Sequence, residues 1–231
     1  MINKKELEKQ IGIKINDISH FELAFIHRSY LNESDDDIKE SNERLEFLGD
    51  AVLQFISSAY LYNKYRDYPE GQLTNLRSKI VNTESLAEET VRLGLQKHLL
   101  VSKGEKNTVE ESKHMQADTF EAVLGAIYLD SGIKVCIKYL HKNLFYKIEK
   151  IVNSGSLKDH KSLYQEYSQE HFNTTPTYKV LSEEGPDHDK KFVMGLYIND
   201  ELISKGTGGS KRSAQQDAAQ KALELVSQNT K

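Results

Sequence analysis

From Asn42 to about Tyr65 the chain runs without a proline and with apolar residues at helical spacing, which predicts one long helix. Within it Glu43, Glu46 and Asp50 fall at i, i+3 and i+7, so three carboxylates share a face, while Leu45, Leu48 and Val52 turn toward a core. Gly49 costs about 1 kcal/mol relative to alanine inside a helix, so its presence implies that something packs close there. Acids so spaced are often only a solvated face. The turns that follow argue otherwise: residues 51–61 are apolar on most of the circumference, the pattern of a helix buried on several sides. Carboxylates on such a helix require a cation, either a metal ion or a strong base.

A second acidic pair, Asp118 and Glu121, stands at i, i+3 on a helix predicted from Met115 to about Ser131, with Phe120, Val123 and Leu124 turned to the core. If the two acidic helices pack antiparallel, Glu46, Asp50, Asp118 and Glu121 converge. With no lysine or histidine expected on those faces, four carboxylates would repel strongly in a low dielectric. An oxygen-only cluster suits a hard ion, Mg²⁺ or Mn²⁺. Ions held this way serve phosphate chemistry by activating water and stabilising a leaving oxygen.

The rest of the first 150 residues also reads as helical. A short amphipathic segment covers Phe21 to Tyr30, an acidic loop follows from Asn32 to Lys39, and further helices are expected from Gln72 to Asn82 and from Thr83 to Gly94. Ser102 to Ser112 reads as a loop, and a last helix is expected from Gly132 to about Ile151. The small polar stretch from Val152 to Ser156 marks a domain boundary, which gives a first domain over 1–152, a linker over 153–159 and a second domain over 160–228. The second domain reads α-β-β-β-α. Helices are predicted at Lys161–His171 and Ser210–Gln228, and strands at Tyr178–Ser182, Phe192–Ile198 and Glu201–Gly206, with Asn199-Asp200 as a tight hairpin turn. The fold class is thus two-domain, all-α followed by a small α+β unit.

Composition narrows the function classes. A net charge of -4 over 231 residues announces no global basic field, and one cysteine excludes an internal disulfide framework or a cysteine-based zinc site. Cys136 lies in an apolar run and reads as a small buried hydrophobe. The charged N-terminal segment lacks the apolar core of a signal peptide, and no apolar run reaches the length of a membrane span. A cytoplasmic protein is expected.

The stretch Asn42-Glu43-Arg44-Leu45-Glu46-Phe47-Leu48-Gly49-Asp50 resembles the signature of ribonuclease III, the double-strand-specific RNA endonucleases. Pro69-Glu70-Gly71 with Leu73-Thr74 and Arg77, and Ala117-Asp118-Thr119-Phe120-Glu121-Ala122, resemble that family's other two blocks in the right order. The appended α-β-β-β-α unit is similar to a double-stranded-RNA-binding domain, so the resemblance covers nearly the whole chain. It implies that Glu46, Asp50, Asp118 and Glu121 are catalytic, metal-binding carboxylates, with Glu43 and Glu70 in secondary roles in substrate placement or dimer contacts. It also implies Mg²⁺-dependent hydrolysis, with Mn²⁺ able to substitute, leaving 5′-phosphate and 3′-hydroxyl ends with short 3′ overhangs. The implied substrates are ribosomal RNA precursors and other structured transcripts. The implied assembly is a homodimer in which Phe47, with no evident need inside its own domain, packs across the twofold axis.

In the second domain, Gly206-Thr207-Gly208-Gly209-Ser210-Lys211-Arg212 is a glycine-rich loop opening a helix, with Ser210 as N-cap. Lys211 and Arg212 in the first turn oppose the helix dipole, which makes sense where an anion docks. Ala214, Ala218, Ala219 and Leu223 form the apolar face behind them. By resemblance, Ser162, Gln165, Glu166 and Gln169 share the face of the first helix that meets 2′-hydroxyls in a minor groove, and His188, in the Gly185-Pro186-Asp187-His188 loop, enters a second one. Such domains read A-form shape rather than sequence. From Ser156 on, 10 Lys+Arg face 11 Asp+Glu, so the cations Lys190, Lys191, Lys205, Lys211 and Arg212 make a patch and not a field.

Two rival readings predict differently. A di-iron bundle needs Glu-x-x-His on two helices, and only Glu111 to His114 fits, in a stretch read as loop. A duplex-RNA-binding regulator that never cuts would have no use for four intact acids.

Overall fold

The computed structural model describes residues 2–32, 39–106, 108–153, 160–186 and 190–229. By internal contact the chain divides into two units, Met1–Leu157 and Lys158–Lys231.

The first unit is built of α1 (Lys4–Ile11), α2 (Ile18–Ala24), α3 (Glu43–Lys64), α4 (Glu70–Ile80), α5 (Thr83–Leu93), α6 (Lys113–Ser131), α7 (Ile133–Asn143) and α8 (Lys147–Asn153). Its caps follow local chemistry. Asn3 receives the Lys5 and Glu6 amides, Asp17 that of Ser19, Asn82 that of Ser85 and Ser112 that of Met115. Gly12 and Gly94 close α1 and α5 in the left-handed conformation that costs glycine nothing. The α6 helix is the most enclosed, with Phe120 and every residue from Ala122 to Ile127 buried. Leu53, Ile56, Leu76, Ile80 and Leu124 join the same core. Cys136 is buried there too, and burial pushes its thiol up to about 12, the state of an inert side chain.

Three expectations need correction. The segment Phe21 to Tyr30 is not one helix: α2 ends at Ala24, and the chain then extends so that Leu100 N donates to Phe25 O (2.8 Å) and His27 N to Leu100 O (3.0 Å). A 3₁₀ turn over Arg28–Asn32 follows. The helix expected from Gly132 to Ile151 is two, because the chain turns at residues 144–146, where Phe145 is buried and stacks on Tyr60 at 4.6 Å. Finally, α3 is not enclosed on all its apolar sides. Phe47 (80% exposed), Ala51, Phe55 (65%) and Tyr62 (72%) form an uncovered stripe.

The second unit consists of α9 (His160–Phe172), β1 (Thr177–Glu184), β2 (Lys191–Ile198), β3 (Glu201–Gly208) and α10 (Lys211–Asn229). The strands pair antiparallel in the order β1-β2-β3. Asn199 and Asp200 both have positive φ (47° and 65°), the backbone of a type I′ hairpin turn. Tyr164 of α9, Leu196 and Ile198 of β2, and Ala218, Ala219 and Ala222 of α10 form the core. A Cβ on Gly206 would sit 2.1 Å from Ala218 N, so β3 lies against α10 at a distance only glycine permits. Of the linker expected over 153–159, Asn153 closes α8, and the remainder lies outside the described residues.

Candidate metal centre and nucleic-acid interface

The site begins with two glycines. A Cβ on Gly49 would lie 1.8 Å from the backbone oxygen of Glu121, and one on Gly125 would lie 2.3 Å from that of Leu45. Here α3 and α6 meet backbone to backbone. Leu45 faces Gly125 while Gly49 faces Glu121, so the helices run in opposite directions. The close approach expected at Gly49 is therefore real. Its counterpart Gly125 was not visible from sequence, because a glycine in an apolar run carries no sign of which neighbour it admits.

Glu46 lies one turn before Gly49, and Glu121 one turn before Gly125, so the crossing carries the acids with it. One carboxylate oxygen from each of Glu46, Asp118 and Glu121 lies within 4.8 Å of the others. Asp50 does not join that trio. It is exposed, and its carboxylate accepts from Gln54 Nε2 at 3.2 Å. Its charge still reaches the site, for after burial Asp50 is the largest influence on Glu121. Burial first, then Asp50, Asp118 and Glu46, push the Glu121 carboxyl up to about 8. Burial raises Glu46 as well, helped by Asp118, Glu43 and Asp50. Asp118 is raised by burial against the opposing pull of His114 and His27.

Those two histidines correct the expectation of faces without histidine. His114 lies in α6, one turn before Asp118, and not in a loop. His27 comes from the extended segment after α2, and its Nδ1 contacts Ser29 Oγ (2.8 Å) and Glu105 Oε2 (3.2 Å). The chain still offers no Glu-x-x-His pair on two helices, so the di-iron reading gains nothing. The donor set is oxygen only, half-buried and self-repelling, which fits a hard divalent cation.

The entry to α3 is pinned by Asn42, whose N donates to Ile26 O (2.8 Å) and whose Nδ2 donates to Ala24 O (3.3 Å). The start of α6 is pinned by Thr90 Oγ1, which donates to Gln116 O (2.7 Å), and by Gln116 Nε2, which donates to Val109 O (2.9 Å). Neither secondary acid joins the trio. Glu43 is exposed and meets Ser41 Oγ (3.0 Å) and Arg28 Nη1 (3.5 Å), while Glu70 opens α4 and accepts from Thr74 Oγ1 (2.9 Å).

In the second unit, Ser162, Gln165, Glu166 and Gln169 line one open concavity of about 550 Å³ along α9, together with Glu170. Ser210 caps α10 reciprocally: Ser213 N donates to Ser210 Oγ (3.1 Å) and Ser210 N to Ser213 Oγ (3.0 Å). Lys211 and Arg212 are exposed in the first turn, and Lys211 Nζ stands 5.8 Å from the Phe192 ring. Lys191 is exposed, whereas Lys190 pairs with Glu183 at 2.8 Å. Lys205 does not belong with Lys211 and Arg212. Its neighbours Ser204 and Gly206 face α10, so strand alternation turns Lys205 to the opposite side of the sheet. His188 lies outside the described residues.

With this geometry in hand, the likenesses to known proteins fall on the same two units. Residues 17–148 match the family model described as Ribonuclease-III-like, and residues 160–226 match the double-stranded RNA binding motif. The chain is 40% identical over 227 residues to a Ribonuclease 3 of Leptospira interrogans, covering 98% of this chain and 92% of that one. It is 43% identical over 221 residues to a Ribonuclease 3 of Protochlamydia amoebophila, covering 95% and 90%. A solved nuclease domain of ribonuclease III from Campylobacter jejuni, described as having a region involved in dimer formation, superposes with a TM-score of 0.57 at 32% identity. That match spans 62% of this chain and 97% of the other.

Proposed function

The chain belongs to the ribonuclease III family of double-strand-specific endoribonucleases, and we propose that it cuts duplex RNA at the acid cluster where α3 crosses α6. The observation that carries this is the convergence of Glu46, Asp118 and Glu121 to within 4.8 Å. These three, with Asp50 beside them, are the residues to hold a divalent cation, Mg²⁺ or in its place Mn²⁺. When bound, such an ion supplies a nucleophile from water at neutral pH and stabilises the leaving oxygen. The protein's own part is to keep the carboxylates rigid, which the glycine crossing and the Asn42, Thr90 and Gln116 anchors do. Family membership supports products with 5′-phosphate and 3′-hydroxyl ends and short 3′ overhangs, and processing of ribosomal RNA precursors and other structured transcripts; the cytoplasm is the location proposed for this activity.

The same reading assigns residues 1–152 to catalysis and dimerisation and 160–228 to duplex-RNA binding. The α9 face meets a minor groove, the His188 loop a second one, and Lys190, Lys191, Lys211 and Arg212 the phosphates. Glu43 and Glu70 are assigned to placing substrate or to dimer contacts.

The uncovered stripe of α3, led by Phe47, is assigned to a homodimer, since an exposed aromatic row of this kind seeks a partner surface. Phe47→Ala is expected to weaken dimerisation by about 2 kcal/mol or more, the range for truncating a buried aromatic anchor. Sedimentation velocity across a concentration series reads it, and a wild-type monomer at micromolar concentration rejects the assignment.

Cleavage itself is tested with a labelled perfect hairpin under single-turnover conditions, in chelator, in Mg²⁺ and in Mn²⁺. Cutting is expected only with a metal. Binding with no cutting in either ion would favour a regulator that never cleaves.

A further inference from the structure

We propose that Lys161 is a further phosphate-contacting cation of the second unit, carried on α9 but delivered beside Lys211 on α10. The inference rests on reading that unit as a binder of duplex RNA. Lys211 and Gln215 stand at i and i+4, neighbours on one face of α10, yet position 215 carries no charge. Lys161 Nζ donates to Gln215 Oε1 at 2.6 Å, which places an ammonium on the α10 surface one turn beyond Lys211. The Lys161 backbone N also donates to Gln216 Oε1 at 3.3 Å, so the whole residue is registered against α10.

What holds the ammonium matters as much as where it sits. Nζ lies 4.9 Å from the centroid of the Tyr178 ring, and its hydrogen-bond acceptor is a neutral amide. Among the described residues Lys161 makes no ion pair, whereas Lys179, Lys190 and Lys221 of the same unit are matched to Asp200, Glu183 and Asp217. A ring face and an amide oxygen orient a cation without cancelling its charge. An ammonium has three donors, and the amide takes one. Lysine side chains lose much rotamer freedom when they dock on an anion, and here that ordering is already done. Ser162 follows directly in the chain and lines the concavity along α9. Lys161 therefore stands where the groove-facing side of α9 adjoins the basic first turn of α10, a place to grip the phosphates bordering the groove.

The bland alternative is a clamp that only fastens α9 to α10. The two are separated by fluorescence anisotropy of the full-length protein on two RNA duplexes of unrelated sequence, in Ca²⁺ or chelator to prevent cutting, across a salt series. Lys161→Met keeps the stem and removes the charge. It is expected to weaken both duplexes about three- to tenfold, the net worth of one hydrogen bond, and to lower the slope of log affinity against log salt by about one. Lys161→Arg is expected to restore the slope. Lys211→Ala with Arg212→Ala is measured alongside. If that pair changes nothing, the reading of the unit as a duplex binder through this turn is what fails. If the pair weakens binding while Lys161→Met lowers only the melting temperature and leaves the slope intact, Lys161 is a clamp and the proposal is overturned.

Discussion

Glu89 on α5 and Glu121 on α6 are both acids set into the first unit, in opposite company. Glu89 is 1% exposed and is met by Arg92 Nε at 2.6 Å, Lys147 Nζ at 3.0 Å and Tyr146 OH at 2.5 Å. Glu121 is half-buried, and the charges that act most on it are Asp50, Asp118 and Glu46. A buried carboxylate supplied with cations and donors is architecture: it ties α5 to the chain entering α8. A half-buried carboxylate supplied with more carboxylates is one whose repulsion a divalent cation would relieve, the role proposed for Glu121. Burial alone does not distinguish them; the sign of the neighbours does.

Glu121→Gln sharpens the contrast most. It keeps the side chain's size and removes one negative charge, so duplex affinity is expected within a few-fold of wild type. Single-turnover cleavage should fall by about 10²–10³, the loss typical of removing one preorganised electrostatic group, with partial recovery at raised metal concentration. Stability should hold or rise slightly, because a self-repelling cluster loses one of its charges. Cleavage at the wild-type rate would falsify the carboxylate mechanism. Asp50→Asn is expected to behave alike, with less recovery if its carboxylate is shared with the bound ion.

Glu89→Ala is the mirror experiment. It leaves Lys147, which is largely buried, with Glu88 (2.8 Å) and the Ser85 carbonyl (2.9 Å), and Arg92, which is about half exposed, with Asn143 (3.0 Å). Each cation keeps a partner, so a loss of about 3 kcal/mol is expected, at the low end for breaking a buried pair. Urea unfolding reads the loss, and cleavage by the remaining folded protein should be unchanged. Lost cleavage with full stability would break the comparison, because Glu89 would then belong to the site.

A third test uses pH on the metal-free protein. The Glu121 carboxyl stands at about 8 when folded against an ordinary 4.5, and Glu46 and Asp118 are shifted in the same direction. A raised carboxyl favours the folded state while protonated. The contribution is complete below about 4.5 and is lost as pH rises toward 8. In chelator the melting temperature should therefore decline over that window, with Glu121→Gln flattening the decline. Water screens a half-buried group, so the slope should be shallow. Saturating Mg²⁺ should remove most of it.

How much of this contrast the sequence held depends on whether its cause is local. Glu46, Asp118 and Glu121 and the helices that carry them were legible because charge and periodicity repeat within a few residues, whereas Asp50, expected to converge with them, stands outside the trio. The hairpin at Asn199-Asp200 was legible for the same reason, its turn chemistry being written in two residues. Gly125, His27 and His114 were not, since their importance lies in what a second helix or a distant loop places against them. The turn at residues 144–146 contains no proline or glycine; Phe145 is set by Tyr60, far away in sequence. The Glu89 network was invisible for that reason also. The i, i+3 spacing of Glu89 and Arg92 on α5 carries no sign of burial, and only the return of Tyr146 and Lys147 encloses the carboxylate.

The smallest expected effect probes that return directly. Among the described residues Tyr146 OH is the one neutral donor to Glu89, against two cations. Tyr146→Phe keeps the ring, which also stands 5.7 Å from the Arg92 guanidinium carbon, and removes only the hydroxyl. Were Glu89 short of partners, losing a donor to a buried charge would cost about 1.5–3 kcal/mol. With Arg92 and Lys147 still in place, and Tyr146 itself 43% exposed so that water reaches its edge, about 1 kcal/mol is expected. At this chain length that is a fall of about 2–4 °C in melting temperature. A fall as large as that of Glu89→Ala would mean that the hydroxyl, and not the two cations, keeps the carboxylate buried. The architectural half of the comparison would then rest on a hydrogen bond and not on charge balance.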